Sequence, residues 1–240
     1  MPKLLIVRPE SRARQDMETC RLAGWEAQLF SPMEIVPDSG ELSKLNKRIE
    51  AADAVFWVSP SAVETAARYV DFSDGLKPHI AVGRAGAQAL RDCGAAQVFS
   101  PPNGNDSEAV SALPLWQDLP QGAEVLIVRG MGGRNFLGEH LAERGFSVGY
   151  AEVYARQPLT VDWQHFHPET IDAAYIASSE AVRALFAQIP PQFSRFFKSL
   201  LYFTHHERIA KTLKAAGAQH IQVAATLEAA LVQYLEKEHP

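Results

Sequence analysis

One block of this sequence is written twice. Leu5-Ile6-Val7-Arg8 returns as Leu126-Ile127-Val128-Arg129, so that Arg8 falls on Arg129 at an offset of 121 residues, and Gly24-Trp25 returns as Gly145-Phe146 at the same offset. Asp53-Ala54 with Ser59 and Ala62-Val63 matches Asp172-Ala173 with Ser178 and Ala181-Val182 at 119 residues. A third set, Ala87, Leu90 and Gly94, matches Ala210, Leu213 and Gly217 at 123. Three blocks in one order at nearly one offset predict two similar structural units, and taken alone they put a boundary near residue 120. Two similar units are most simply arranged around a shared cleft, the usual place for a ligand.

The class of those units follows from the pattern inside each block. Short apolar runs alternate with amphipathic stretches that end at glycine. Leu4–Val7 precedes a helix expected over Ser11–Ala23, with Ala13, Met17 and Cys20 on one face and Gly24 as its cap. A strand is expected near Glu26–Phe30. Ala54–Val58 runs into a helix expected over Pro60–Tyr69, proline suiting the first helical turn. His79–Val82 and Gly83 lead into a helix that ends at Gly94. The last helix repeats Leu227, Ala230, Leu231, Tyr234 and Leu235 at helical spacing behind a cap at Thr226. Apolar strands separated by single helices predict α/β units with parallel sheets covered on both faces.

Composition excludes several classes. No run of about 18 apolar residues is present, so no membrane-spanning helix is expected. Arg8-Pro9 cuts off the first apolar run before it could serve as a signal peptide. Two cysteines, Cys20 and Cys93, are too few for a disulfide framework, and each falls in an expected helix, which points to the cytoplasm. A net charge of −5 argues against nucleic acid as a partner, while leaving room for a small anion in a locally positive cleft.

The chemical motifs are mostly negative. Arg129-Gly130-Met131-Gly132-Gly133-Arg134 is expected to open a helix after a strand, a place that suits an anion or simply a tight turn; Arg129 and Arg134 flank it. Neither the dinucleotide fingerprint nor the Walker loop is present, so no nucleotide cofactor is expected. Ser59 and Ser61, and Ser178 and Ser179, follow strands, where they can cap helices, line a site or do both. The nucleophile elbow is absent. His205-His206, His165 and His167 lack the companions of a metal site, so no metal is expected; the paired histidines suggest at most a contact to an anion. Proline-flanked segments at 31–37 and 152–158 occupy corresponding places and read as extended connections. Tyr154 lies on the second of them, and at an offset of 119 its counterpart is the aliphatic Ile35. Packing of the ring and use of the hydroxyl are both open.

From Leu4 to Leu235 these blocks resemble the uroporphyrinogen-III synthase family. The likeness rests on Leu5-Ile6-Val7-Arg8-Pro9, Phe56–Val63, Ala81-Val82-Gly83 with Gly94, Asp106–Ala109, Val125–Gly130 with Gly145, Glu152-Val153-Tyr154 and Ile176–Ser179. The resemblance implies two flavodoxin-like parallel-sheet α/β domains joined by a two-stranded hinge, with the site in the cleft between them. The domains are nested: 1–34 with 158–240 form one, 36–152 the other. It also implies a cofactor-free, monomeric, cytoplasmic enzyme. Its substrate is hydroxymethylbilane, which it cyclises to uroporphyrinogen III with loss of water and inversion of ring D. By resemblance Tyr154 is the donor to the leaving hydroxyl, and Ser59, Ser61, Gly83, Ser178 and Ser179 line the cleft. Arg8, Arg129 and Arg134 are expected, from charge alone, as partners of the substrate carboxylates. Where many relatives carry Gly-x-Thr-Thr, this chain has His205-His206-Glu207-Arg208, so a threonine role does not carry over and His206 is the candidate replacement. A two-lobed, non-catalytic binding protein for an anionic small molecule is the alternative.

Overall fold

The computed structural model describes residues 1–73, 75, 77–104 and 106–238. Eleven strands occur among the described residues: β1 (Lys3–Val7), β2 (Glu26–Phe30), β3 (Met33–Pro37), β4 (Ala54–Trp57), β5 (His79–Ala81), β6 (Val98–Phe99), β7 (Glu124–Gly130), β8 (Ser147–Pro158), β9 (Ala173–Ile176), β10 (Leu201–Thr204) and β11 (His220–Val223). The chain separates into two compact units, Met1–Ile35 with Gln157–Pro240, and Val36–Arg156.

In the first unit the sheet order is β11-β10-β9-β1-β2, with every pairing parallel. Counted along this unit's own strands that is 2-1-3-4-5, the flavodoxin-like order. Both faces are covered. Leu5, Val7, Ala174, Ile176 and Tyr202 enter one apolar cluster, while Leu4, Ile6, Ala173, Tyr175 and Phe203 enter the other. Alternation with a period of two sends neighbours on a strand to opposite faces, so a strand buried on both sides is apolar throughout.

The second unit has the order β3-β8-β7-β4-β5-β6, with parallel pairing along β8-β7-β4-β5-β6. Ala54, Phe56, Ile80, Val125 and Ile127 pack there with Trp116, Leu137 and Leu141.

The sequence repeat is a repeat of sheet register. Leu4 pairs with Ala173 as Val125 pairs with Ala54, and Lys3 pairs with Glu26 as Glu124 pairs with Ser147. Ala174–Tyr202 corresponds to Val55–His79, and Tyr202–Ile221 to His79–Val98. The helix-ending glycines also coincide: Gly24, Gly94, Gly145 and Gly217 all have positive φ, where a side chain is strained. This register puts the first residues of β8 on β2 at an offset of 121.

Asp53 and Asp172 explain why an acidic residue recurs beside a buried strand. Asp53 Oδ2 accepts from the Glu124 amide at 2.8 Å and Asp172 Oδ2 from the Lys3 amide at 2.7 Å. In return the Asp53 and Asp172 amides donate to the carbonyls of Glu124 and Lys3 at 2.8 and 3.0 Å. Each aspartate therefore closes the first rung of the central strand pair. Asp53→Ala and Asp172→Ala are each expected to cost about 1–2 kcal/mol, read as a lowered urea midpoint with an unchanged slope.

Two helices begin or end away from their expected limits. The first is not one helix over Ser11–Ala23 but a 3-10 turn, Glu10–Arg12, followed by a helix Arg14–Leu22 whose N-terminus has no side-chain cap. The helix expected over Pro60–Tyr69 stops at Ala66. Beyond it Val70 and Phe72 enter the core, with the Phe72 ring 5.6 Å from Trp57 and 5.5 Å from His79. A continuing helix could not place them there. Cys20 is buried in the first helix, and burial pushes its thiol up to about 12; Cys93 caps the helix Arg84–Asp92 and is half-buried.

Candidate active site

In the second unit the carboxyl ends of β4 and β7 meet the middle of β8. Ser59 leaves β4 in extended conformation and caps the helix Pro60–Ala66, its Oγ accepting from the Ala62 amide at 3.2 Å. Along β7 and β8 the register is regular up to Arg129 opposite Glu152, then slips so that Gly130 faces Tyr154. Such a bulge re-aims the side chains of the longer strand. The Tyr154 ring consequently lies against Gly130: a Cβ on that glycine would stand 2.5 Å from both Cε2 and Cζ. The Tyr154 carbonyl is held by the Met131 amide at 2.8 Å. Its phenol oxygen accepts from Arg156 Nη2 at 2.9 Å and lies 3.2 Å from Ser59 Oγ. The Arg156 guanidinium sits 5.1 Å above the same ring. Tyr154 is 1% exposed.

The expected arginines are each engaged within the protein. Arg129 bonds Glu152 Oε1 through Nε at 3.2 Å and Nη2 at 3.0 Å. Its Nη1 reaches the Gly133 and Arg134 carbonyls at 3.1 and 3.2 Å and Asn135 Oδ1 at 2.8 Å, and its guanidinium stacks 4.3 Å from the Tyr150 ring. The glycine-rich segment therefore does not open a helix directly. Gly130 ends β7, Gly132 takes a positive φ, the turn is tied down by Arg129, and the helix begins at Phe136. Arg134 pairs with Glu108 at 2.5 Å at the surface. An open pocket of about 570 Å³ beside this turn is lined by Asp38, Glu41, Arg48, Arg129, Met131, Tyr150 and Glu152. Within it Arg48 pairs with Glu41 at 2.8 Å and Arg129 with Glu152 at 3.0 Å, while Asp38 Oδ1 accepts from the Glu41 amide at 2.9 Å.

The other expected residues stand at strand ends of their own units. Ser61 lies in the first turn of the helix that Ser59 caps, and Gly83, in extended backbone, precedes the helix Arg84–Asp92. In the first unit Ser178 Oγ caps the helix Ser179–Phe186 through the Ala181 amide at 3.0 Å, and Ser179 Oγ accepts from Thr212 at 3.0 Å. His206 caps the helix Glu207–Ala215, Nδ1 accepting from the Arg208 amide at 3.0 Å. Arg8 pairs with Asp16. Tyr154 and Ser59 are thus in contact, and Arg129 is tied to Arg134 through the backbone.

Arg156, Asp16 and Tyr175 were not expected, and His205 only as half of a histidine pair that could contact an anion. Arg156 carried a readable signal: two residues after Tyr154 on a strand, it must project to the same side. His205 Nδ1 lies 3.4 Å from the Tyr175 hydroxyl, and burial, then the Arg8, His206 and Arg208 charges, hold its pKa below the ordinary 6.5 against the opposing pull of Asp16. A histidine kept neutral in the fold but protonated when unfolded takes stability away as pH falls through 6.5. Between pH 7.5 and 5.5 the urea midpoint should therefore fall less in His205→Gln than in the unsubstituted chain.

Among the described residues no group of three or more His, Cys, Asp and Glu is placed to hold a metal ion, and no helix is long and apolar enough to cross a membrane. His165 and His167 stand beside Asp162 and Glu169 at 2.7 and 3.3 Å.

Two parallel-sheet α/β units of one register, with polar side chains gathered at the carboxyl ends of their strands, define a class of ligand-handling α/β proteins. Within that class the chain belongs to the uroporphyrinogen-III synthase family: the family model described as "Uroporphyrinogen-III synthase HemD" matches residues 15–231. The uroporphyrinogen-III synthase of Salmonella typhimurium is 30% identical over 234 residues, covering 92% of this chain and 94% of that protein. The Escherichia coli enzyme is 28% identical over 238 residues, with the same coverage of 92% and 94%. Among solved structures, the Helicobacter pylori uroporphyrinogen-III synthetase superposes with a TM-score of 0.64 at 16% identity, over 99% of this chain and all of that one. A Thermus thermophilus uroporphyrinogen III synthase gives 0.59 at 16% identity, over 99% and 98%. These structural likenesses carry the fold. The family match and the two named relatives favour a synthase over a non-catalytic binding protein.

Proposed function

We propose that the chain is a cyclising hydro-lyase of tetrapyrrole and haem biosynthesis, which closes hydroxymethylbilane to uroporphyrinogen III with loss of water and inversion of ring D. The observation that carries the reading is the Tyr154 hydroxyl, held between Arg156 and Ser59 at the strand ends of a chain of this family. Departure of the terminal hydroxyl needs a proton, and the resulting azafulvene then closes through a spiro intermediate. The rest of the task is positioning: one conformation of a flexible substrate must be held so that the inverted closure outruns direct closure to the type I isomer.

In this reading 31–37 and 152–158 are connecting segments, and Ser61, Gly83, Ser178 and Ser179 contact the substrate. Arg8, Arg134 and His206 exchange their present partners for substrate carboxylates, an exchange that costs little for the exposed Arg134–Glu108 pair. Arg129 keeps its place under the glycine-rich turn and contributes by holding Tyr154's neighbour Gly130 in line. The enzyme works in the cytoplasm as a monomer, without cofactor or metal.

The test is consumption of freshly made hydroxymethylbilane by protein dialysed against a chelator. Loss of substrate well above the spontaneous rate, proportional to protein, is expected; a rate equal to the protein-free control would remove the reading.

A further inference from the structure

The depth of Tyr154 raises a question that its role as proton donor leaves open. With its side chain 1% exposed, Tyr154 presents almost no surface to a substrate hydroxyl, whereas Ser59 is only half-buried. We infer that Ser59, which reaches the surface, hands the proton to the leaving hydroxyl, with Tyr154 behind it as proton source and Arg156 as the positioning residue; this rests on the reading of Tyr154 given above.

The direction of the relay follows from counting donors and lone pairs. Arginine has donors only, so the 2.9 Å contact is Arg156 Nη2 donating to the phenol oxygen. Tyr154 keeps its own proton, and Ser59 Oγ at 3.2 Å is its other hydrogen-bond neighbour among the described residues. If Ser59 donated to the phenol instead, the phenol proton would be buried with no acceptor, which costs about 1–3 kcal/mol. Tyr154 is therefore the donor to Ser59. A serine oxygen has two lone pairs. One accepts from the Ala62 amide at 3.2 Å and the other from Tyr154, so the serine's own proton must point elsewhere. The half-buried position of Ser59 leaves the outside as its direction. The bonds are long, as catalytic hydrogen bonds often are before substrate tightens them.

The step balances without a further reactant. The C–O bond of the terminal hydroxymethyl group breaks and its electron pair leaves on oxygen, which takes the Ser59 proton and departs as water. Ser59 takes the Tyr154 proton, and the phenolate remains against the Arg156 guanidinium. The pyrrole nitrogen lone pair fills the vacated carbon, and the pyrrole N–H proton then returns through Ser59 to the phenolate, leaving a neutral azafulvene.

Five single variants and one double test this. Ser59→Asn keeps a cap for the Ala62 amide but cannot relay a proton, whereas Ser59→Thr keeps both functions. Ser59→Asn and Tyr154→Phe should each lower kcat by about 10²-fold, with little change in KM or melting temperature, and the double variant should lose no more than about threefold beyond either single. Ser59→Thr should stay within about threefold of the unsubstituted enzyme, and Arg156→Lys should retain much more of kcat than Arg156→Met at equal KM. Near-normal kcat in Ser59→Asn beside a slow Tyr154→Phe would overturn the relay and leave Tyr154 as the direct donor. Multiplying losses in the double variant would overturn it too, since independent groups add in free energy. Normal rates in both singles would remove Tyr154 itself from the chemistry.

Discussion

Tyr154→Phe is expected to lower kcat on hydroxymethylbilane by about 10²-fold while KM changes by less than about threefold. The substitution removes one oxygen and leaves the ring where it packs against Gly130. What is lost is the proton held between Arg156 and Ser59. Binding of a large polycarboxylate draws on many contacts spread along the substrate, so it should hardly register the change. The cost in stability should be about 1 kcal/mol, because Arg156 loses an acceptor but lies near enough to solvent to find water. Steady-state kinetics with a urea titration separates these effects. A rate near normal would shift the credit to backbone donors and substrate positioning.

Gly130→Ala should be nearly as damaging to turnover, for a steric reason. The added Cβ would stand 2.5 Å from two ring carbons of Tyr154, a distance that real Cβ contacts essentially never show. Those carbons belong to a rigid ring anchored at its hydroxyl and packed in a buried site, so the ring must move or the β7–β8 bulge must open. Overpacking of this kind costs about 1–3 kcal/mol. The phenol would leave its place between Arg156 and Ser59, and kcat should fall by about 10²-fold. The double variant Gly130→Ala, Tyr154→Ala supplies the control. Removing the ring relieves the clash, so the double variant should lose less stability than the losses of Gly130→Ala and Tyr154→Ala added together, while activity stays low. If Gly130→Ala keeps full activity, Tyr154 does not need the geometry described.

Much of the fold could be read from the repeat, because repeated apolar strands and glycine caps encode register directly. Leu4 on Ala173 and Val125 on Ala54 are the same pairing written twice, and Asp53 and Asp172 close equivalent rungs. Helix ends set by packing were less legible. The helix after Ser59 stops at Ala66 because Val70 and Phe72 are needed in the core, a demand set by Trp57 and His79 at a distance.

The site was legible in part, for a related reason. Ser59 and Tyr154, 95 residues apart, were each marked by position and type, and the strand ends bring them together. The arginines were chosen for charge alone, and charge does not reveal a partner. Arg8 finds Asp16, Arg129 finds Glu152 across the strand pair, and Arg134, in the turn, finds Glu108 on the helix Ser107–Ser111. Arg156 was passed over although the two-residue period of a strand places it beside Tyr154. Local pattern carried the scaffold, whereas pairings between distant polar groups required the folded chain.

The most direct test of the account is the identity of the product. Freshly made hydroxymethylbilane is mixed with increasing amounts of the protein, the products are oxidised, and the uroporphyrin isomers are separated. The type III isomer should rise with protein until it dominates, as capture by the enzyme outruns spontaneous closure. Dominance of the type I isomer at every protein concentration would contradict the account.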